Sequence, residues 1–420
     1  MVHTIKIYIT LIFFFFCYNC IHGKPTKEQR DKINSTQIKQ NYRFEKLPDD
    51  GSYTIEMRNI SGNVTIIGKE ASGGLIILER IFFGLKNEQE ILQAHKLESA
   101  SVKHILEDSL IQISGTKDNH SGQEITKNLY FELPKHVNID FKIEGGDYTI
   151  NDIRGTSVLE TLGGDISIKN TSGNIELKTE GGDIKITNLE GELRCHSSGG
   201  KISTRNSNGE LNLSTIGGDI ILEDSKGILD IQSSGGSINL INVDADKMTC
   251  RTSGGTINGE NISGKSILKS FGNNIKLLDI SGDFDIYTSG GSIEINQLRG
   301  KTKCEAEAGN ITLNNAAGSI ESFTSSGNIL LNLVYDSSLK NNSIYLETHS
   351  GNLTANLPKD LSANIETIIH QTTSVKKLNS EIALDIKIEN NKIIGKRIIS
   401  GGAIPINIIA HQGEININEN

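Results

Sequence analysis

The sequence has little of several residue types, and each shortage argues against a class of protein. Tryptophan is absent and only 5 of the 420 residues are proline, so the 43 glycines do not indicate a collagen-like or proline-rich disordered chain. Lysine and arginine (42) are outnumbered by aspartate and glutamate (51), and long basic runs are missing, which argues against a nucleic-acid partner. The formal net charge of -9 mainly favours solubility.

Long apolar runs are also scarce, and the one clear example lies near the N-terminus at residues 7–17. It contains four consecutive phenylalanines, follows Lys6, and is shorter than the roughly 20 residues that a membrane span needs. Gly23 offers a small residue for cleavage. We therefore expect a signal peptide at 1–23, export to the periplasm, cell surface or extracellular space, and no membrane span in the mature chain. Lipid modification of Cys20 remains open.

What the sequence does have is a short repeat through the middle of the chain. Within each repeat apolar and polar residues alternate, as in Ile184 and Ile186 followed by Leu193 and Cys195. A fixed short period predicts a stack of identical units rather than an ordinary globular core. The repeat is marked by a glycine, or a small residue in its place, every eighteen residues with one single-residue slip: Gly145, Gly163, Gly181, Gly199, Gly217, Gly235, Gly254, Gly272, Gly290, Ala308 and Ser326.

Three further columns of the repeat predict its turns. A serine or threonine column precedes the glycines, and we expect its hydroxyls to bond turn backbone groups. A second glycine column, beginning at Gly155, predicts positive φ. The third column consists of asparagine, aspartate and one glutamine. Asparagine and aspartate tolerate left-handed backbone geometry, and stacked amides can hydrogen-bond from rung to rung. Its members are Asp152, Asn170, Asn188, Asn206, Asp224, Asn242, Asn261, Asp279, Gln297 and Asn315.

Cysteine is rare outside the leader. Cys195, Cys250 and Cys304 share one inward column and lie three repeats apart. Strands stack about 4.8 Å apart, so three rungs are roughly 14 Å, whereas a disulfide needs Cα atoms within about 7 Å. We therefore predict three unbridged cysteines that fill the core as small apolar residues.

These patterns predict an all-β fold, a single-stranded β-helix or β-solenoid with about eleven 18-residue rungs, capped by irregular β segments and one short helix. The expected organisation is a signal peptide at 1–23, a polar linker at 24–50, an N-terminal β cap with a short helix at 51–136, solenoid repeats at 137–335 and a C-terminal β cap at 336–420. The short helix is expected near 87–98.

One turn column suggests a metal. Asp147, Asp165, Asp183 and Asp219 occupy the same turn position, where stacked carboxylates could hold calcium. Lys201 interrupts the column, and the glycine-rich nonapeptide of calcium β-rolls is absent. Turn capping by these aspartates is the interpretation that the pattern favours.

Catalytic chemistry finds little support. A polysaccharide-cleaving β-helix needs paired carboxylates in a cleft, but the rungs are nearly uniform, and Glu305 and Glu307 fit a solvated face. His196 and His349 look isolated and exposed, and no nucleophile elbow lies between a strand and a helix. We therefore expect no enzyme activity and no cofactor, and we assign no catalytic, cofactor-binding or metal residue.

The Ser/Thr-x-Gly-Gly-Asp/Ser-Ile-x-Ile units, the Leu-Pro-Lys segments at 133–135 and 357–359 and the export signal resemble the putative adhesin family. That family comprises uncharacterised bacterial β-solenoid domains similar to the adhesin head domains of autotransporters. The resemblance covers about residues 50–420, implies the β-solenoid fold and carries over no functional residue.

The expected function is therefore that of an exported, non-enzymatic β-solenoid, an adhesin-like or envelope scaffolding module. Its partner is unknown, a cell-surface glycan or a protein being the candidates, because outward positions are polar and varied, with Ile221 and Leu330 as apolar exceptions in one column. Two alternatives stay open at this point, a polysaccharide-active β-helix enzyme and a self-assembling, filament-type solenoid.

Overall fold

The structure is a computed structural model that describes residues 6–10, 35–83, 85, 88–115, 125–336, 338–339, 342–372 and 374–420. The chain divides into two units, Met1–Gly200 and Lys201–Asn420. The fold class predicted from the repeat is confirmed, since consecutive parallel strands form a β-solenoid of about nine to eleven rungs.

The first unit contains one described helix, which confirms the prediction near 87–98. Its elements are β1 (Lys6–Thr10), β2 (Ser35–Phe44), β3 (Thr54–Ile60), β4 (Asn63–Lys69), β5 (Gly74–Phe83), α1 (Glu88–Leu97), β6 (Ser101–Ile105), β7 (Leu110–Ser114), β8 (Ile125–Pro134), β9 (Asn138–Ile143), β10 (Tyr148–Asn151), β11 (Ser157–Thr161), β12 (Ile166–Thr179) and β13 (Ile184–Ser197).

In its described residues the second unit contains strands and one short 3-10 helix at Val375–Lys377. Its strands are β14 (Ile202–Thr215), β15 (Ile220–Ser233), β16 (Ile238–Thr252), β17 (Ile257–Ser270), β18 (Ile275–Thr288), β19 (Ile293–Ala306), β20 (Ile311–Ser326), β21 (Ile329–Leu333), β22 (Ser343–Ser350), β23 (Leu353–Leu357), β24 (Ala363–Ile369), β25 (Leu378–Ser380), β26 (Asp385–Glu389), β27 (Lys392–Ile399), β28 (Ile404–Gln412) and β29 (Ile415–Glu419).

Each complete repeat forms one long strand, where the sequence predicted two short ones. Strand β18, for example, runs fourteen residues and turns a corner at Asp279, whose φ is 54°. A single left-handed residue redirects the chain while the residues on both sides keep their pairing with β17 and β19. The Asn/Asp column is therefore the corner of the rung, as its left-handed geometry predicts.

The apolar columns line the inside of the stack. In the second unit Ile202, Ile220 and Ile238 are paired in register and fully buried. In the first unit Ile166 pairs with Ile184, and both are 1% exposed. Each large aliphatic side chain removed from water contributes about 1.5–3 kcal/mol, so the columns stabilise the stack collectively.

The turn chemistry agrees with the sequence. Thr179 Oγ1 donates to the carbonyl of Gly164 at 3.0 Å and accepts from the amide of Gly182 at 3.1 Å. The same pair of bonds recurs at later serines and threonines of the column, as at Ser233 and Thr252. The hydroxyl column thus satisfies backbone groups that the turn would otherwise bury unpaired.

The polar segment at 24–50 is not only a linker. Residues 35–44 form β2, which pairs antiparallel with β5 along its whole length. Its alternate residues are buried, and Ile38 packs in a cluster with Phe82 and Ala94. The polar composition predicted a linker, but burial of alternate side chains supplies free energy that orders residues 35–44 as a strand. Within the predicted signal peptide the structure describes only β1, which pairs antiparallel with β2; residues 1–5 and 11–34 lie outside the described residues.

The C-terminal strands stack out of chain order. Strand β28 lies between β22 and β24, and β29 lies between β23 and β25, all in parallel pairing. Strand β27 pairs antiparallel with β24, and β26 pairs antiparallel with β27. The expected C-terminal cap therefore continues the parallel stack, with its last chain segment inserted between two earlier ones.

Candidate functional site

A row of five asparagines runs along one outward column of the second unit, and we call it the asparagine row. Successive Nδ2 groups donate to the Oδ1 of the preceding rung, at 2.8 Å from Asn314 to Asn296, 2.6 Å from Asn332 to Asn314 and 2.7 Å from Asn418 to Asn356. Asn356 bonds Asn332 in the same way. All five side chains are half-buried.

Strand register produces this row. Asn296 pairs with Asn314, Asn332 with Asn356, and Asn356 with Asn418, so in-register parallel strands bring identical amides to about 4.8 Å spacing. A primary amide carries two N–H donors and a carbonyl with two lone pairs. The ladder uses one donor and one lone pair of each interior amide. What remains is a regular series of donors and acceptors with fixed orientation.

A shallow groove, which we call the neighbouring groove, adjoins the asparagine row at Asn296. Leu278 on β18 pairs in register with Asn296 on β19, so the groove and the row share one outward column. Leu278 is 43% exposed, and Asn258 Nδ2 donates to Asn239 Oδ1 at 2.9 Å across the groove wall. Its lining combines apolar, amide and charged side chains, among them Ile221, Ile241, Leu278, Asn258, Glu260 and Lys276.

The aspartate turn column makes structural bonds. Asp147 Oδ1 accepts the backbone N–H of Asp165 at 2.9 Å, and Asp165 Oδ1 accepts that of Asp183 at 2.7 Å. In the second unit Asp219 accepts the N–H of Ser237 at 2.7 Å. These three carboxylates thus cap the turn of the next rung, which supports the interpretation favoured over calcium.

Cys195, Cys250 and Cys304 are buried and form no disulfide, as predicted. Burial raises the pKa of the Cys195 thiol, and it does so for Cys250 and Cys304 as well. A thiol held protonated in an apolar column is a poor nucleophile and a poor metal ligand. The structure therefore supports the role of core filler.

The acidic pair and the histidines considered from sequence make other contacts and are not members of the row. Glu305 forms an ion pair with Lys303 at 2.8 Å, and Glu307 accepts the hydroxyl of Tyr287. His196 is half-buried. His349 is exposed, but its expected isolation is wrong, because its ring stacks on His411 with centroids 4.4 Å apart.

Sequence reasoning missed the asparagine row although part of its signal was present. Asn296, Asn314 and Asn332 recur at the eighteen-residue period, one position before the corner column that drew attention. Asn356 and Asn418 could not be added from the period, since they enter the row through the altered strand order.

Comparison with known proteins leaves the chain without an assigned family. No family model and no curated protein matches it. A solved structure described as a putative cell adhesion protein from Clostridium sporogenes shares 12% identity, and the match covers 91% of this chain and 100% of that chain. Its TM-score is 0.18, and a likeness this low carries no argument about this chain.

A helix that crosses a bilayer needs about 20 mostly apolar residues, and the described part of the chain has no such helix.

Proposed function

We propose that this protein is a non-catalytic binding module of the cell envelope or cell surface, adhesin-like in use, and that the asparagine row and the neighbouring groove contact a repetitive glycan. The signal peptide predicted at residues 1–23 supports export. The observation that carries the proposal is the row itself, five amides locked at one spacing by side-chain hydrogen bonds.

A pre-ordered row favours a polymer over a small ligand. Interior amides are already held by their neighbours, so binding costs little side-chain conformational entropy. Each rung offers the same donor and acceptor, which matches a chain of similar hydroxyl-bearing units. Apolar side chains in the neighbouring groove, such as Leu278 and Ile241, can cover the apolar faces of sugar rings. Many weak, equally spaced contacts then add through multivalency.

The test is a binding screen of the full chain against soluble and immobilised polysaccharides, with a double variant, Asn314→Arg with Asn332→Arg. Two long charged side chains in the middle of the row should obstruct a polymer, and we expect at least a tenfold loss of affinity. The matched control places the same change on another outward face, at the exposed Asn212 and Gln232. The control should bind within twofold of the unmodified chain.

Three outcomes would contradict the proposal. One is a chain that binds no polysaccharide in the screen. Another is equal binding by the row variant and the unmodified chain. The third is release of new reducing ends from a bound polysaccharide, because that would make the protein an enzyme. If the first outcome is accompanied by binding to a protein receptor, the glycan is refuted and the role as a binding module is kept.

A further inference from the structure

Three histidines stack at the C-terminal end of the second unit. His349 and His411 have ring centroids 4.4 Å apart with planes inclined by 22°, and His411 and His370 are 4.6 Å apart with planes inclined by 14°. Glu347 lies beside them, its Oε1 2.9 Å from His411 Nε2. Ligand atoms of Glu347, His349 and His411 all lie within 4.8 Å of one another.

The inserted C-terminal strand creates this group. Glu347 and His349 lie on β22, His411 lies on β28, and His370 directly follows β24. Because β28 lies between β22 and β24, its histidine enters the space between the other two rings. Residues more than sixty positions apart in the chain thereby share one turn column.

The carboxylate of this group is oriented by a second residue. Tyr345 donates its hydroxyl to Glu347 Oε2, while Oε1 faces His411. This hydrogen bond, with burial, raises the pKa of Tyr345 to about 12, so the phenol stays a donor at neutral pH. Burial acts to raise the pKa of Glu347, but the bonds from Tyr345 and His411 outweigh it and lower that pKa. The two bonds therefore fix the orientation of the carboxyl, with Oε1 directed toward His411.

We propose that Glu347, His349 and His411 form a binding site for a divalent transition-metal ion, with zinc as the reference ion, that joins β22 to β28. Two imidazoles and one carboxylate are a ligand set that zinc accepts, and three protein ligands leave one position for water. Metal ions bind the neutral form of imidazole.

The distances suit such a site after small movements. With ligand bonds of about 2.0–2.2 Å, tetrahedral ligands lie about 3.4 Å apart. His411 Nε2 and Glu347 Oε1, now 2.9 Å apart, need to separate by about half an ångström. His349 is exposed, so its ring can turn inward without displacing the core. If His411 carries its proton on Nε2, binding shifts that proton to Nδ1, and the proton count is unchanged.

The arrangement assigns a positioning role to Tyr345. A hydrogen bond to the non-ligating oxygen of a metal-binding carboxylate fixes its direction, and loss of such a partner typically costs 10–100-fold in metal affinity. His370 stacks on the face of His411 that is opposite His349, which restricts rotation of the His411 ring. The ion would tie the last strand of the chain to an earlier one, so metal binding should stabilise the C-terminal strands.

The test uses the untagged full chain, stripped with EDTA and titrated with Zn²⁺ by calorimetry, with Co²⁺ absorption as a spectroscopic readout. We expect one ion per chain, and at least a tenfold weaker affinity in His349→Ala. Tyr345→Phe should bind more weakly, with a changed Co²⁺ spectrum. Glu347→Gln serves as a second ligand variant of nearly equal volume should His349→Ala fail to fold.

The matched control is His136→Ala. His136 Nδ1 lies 3.0 Å from Asp49 Oδ1 on the first unit, an exposed histidine–carboxylate pair outside the three-ligand group. It should leave zinc affinity and the zinc-dependent rise in unfolding midpoint unchanged. The proposal is overturned if the unmodified chain binds no zinc below about 1 mM, or if His349→Ala and Glu347→Gln bind it as tightly as the unmodified chain.

Discussion

Replacing Gly282 with alanine tests the close approach of successive rungs. Gly282 follows the corner of β18 with a φ of 125°, and an alanine Cβ there would lie 2.2 Å from the carbonyl oxygen of Gly264. Gly264 and Gly282 are register partners on β17 and β18. The Cβ is attached directly to one backbone and the carbonyl oxygen belongs to the other, so no side-chain rotation relieves the overlap. The two strands must separate.

The size of the effect follows from two contributions. A non-glycine residue held in a sparsely populated backbone region costs about 1–3 kcal/mol, and the steric overlap adds to this. We expect Gly282→Ala to lower the free energy of unfolding of the second unit by about 3 kcal/mol or more. Amide hydrogen exchange should accelerate first in peptides from β17 and β18, because repeat proteins lose stability locally.

The matched control is Gly254→Ala, in the other glycine column. Its added Cβ would lie 3.4 Å from the nearest atom, the carbonyl oxygen of Gly235, which is ordinary contact. We expect the free energy of unfolding to change by at most about 1 kcal/mol. It increases if the main effect of alanine is to reduce the conformational entropy of the unfolded chain. Urea denaturation and hydrogen exchange of both variants measure the difference. Equal losses of stability in Gly282→Ala and Gly254→Ala would refute the stacked geometry.

Three further substitutions or conditions test other parts of the structure. Thr302 is 1% exposed and its Oγ1 has no hydrogen-bond partner among the described residues. Thr302→Val should therefore raise the free energy of unfolding by about 1 kcal/mol, measured as a higher urea midpoint. A lower midpoint would contradict this. Burial, and then the charge of Arg80, lower the pKa of His95 from 6.5, so the unfolded state binds more protons than the folded state. Hydrogen-exchange protection of α1 should therefore fall as the pH drops below about 6.5. The fall should be smaller in His95→Gln. Burial raises the pKa of Cys250, and its thiol should resist disulfide reagents until the protein unfolds; labelling of the folded chain would be the contrary result.

The regular rungs were predictable because one residue type per column repeats the same physical task. Isoleucine at Ile220 and its column partners marks the inside, and Asp279 with its partners marks the corner. The joining of two predicted short strands into one was less predictable. A single left-handed residue turns the chain without ending its hydrogen bonding, whereas sequence patterns normally associate such residues with a loop.

Strand β2 and the end of the chain escaped prediction for a different reason. Residues 35–44 are rich in polar side chains, and only pairing with β5 reveals that alternate positions are buried. The histidine stack depends on β28 lying between β22 and β24. Chain order and period contain no information about that insertion, so His349, His370 and His411 look unrelated in the sequence.

The most direct test of the stacked rungs is a pair of spin-label distances within the second unit. Asn212, Asp285 and Glu321 are exposed and share one outward column. Asp285 lies four rungs from Asn212, and Glu321 lies six rungs from Asn212. At about 4.8 Å per rung, the backbone separations are about 19 Å for Asn212 to Asp285 and about 29 Å for Asn212 to Glu321. The account predicts that the second measured distance exceeds the first by about 10 Å. Two equal distances, or a shorter second one, would contradict it.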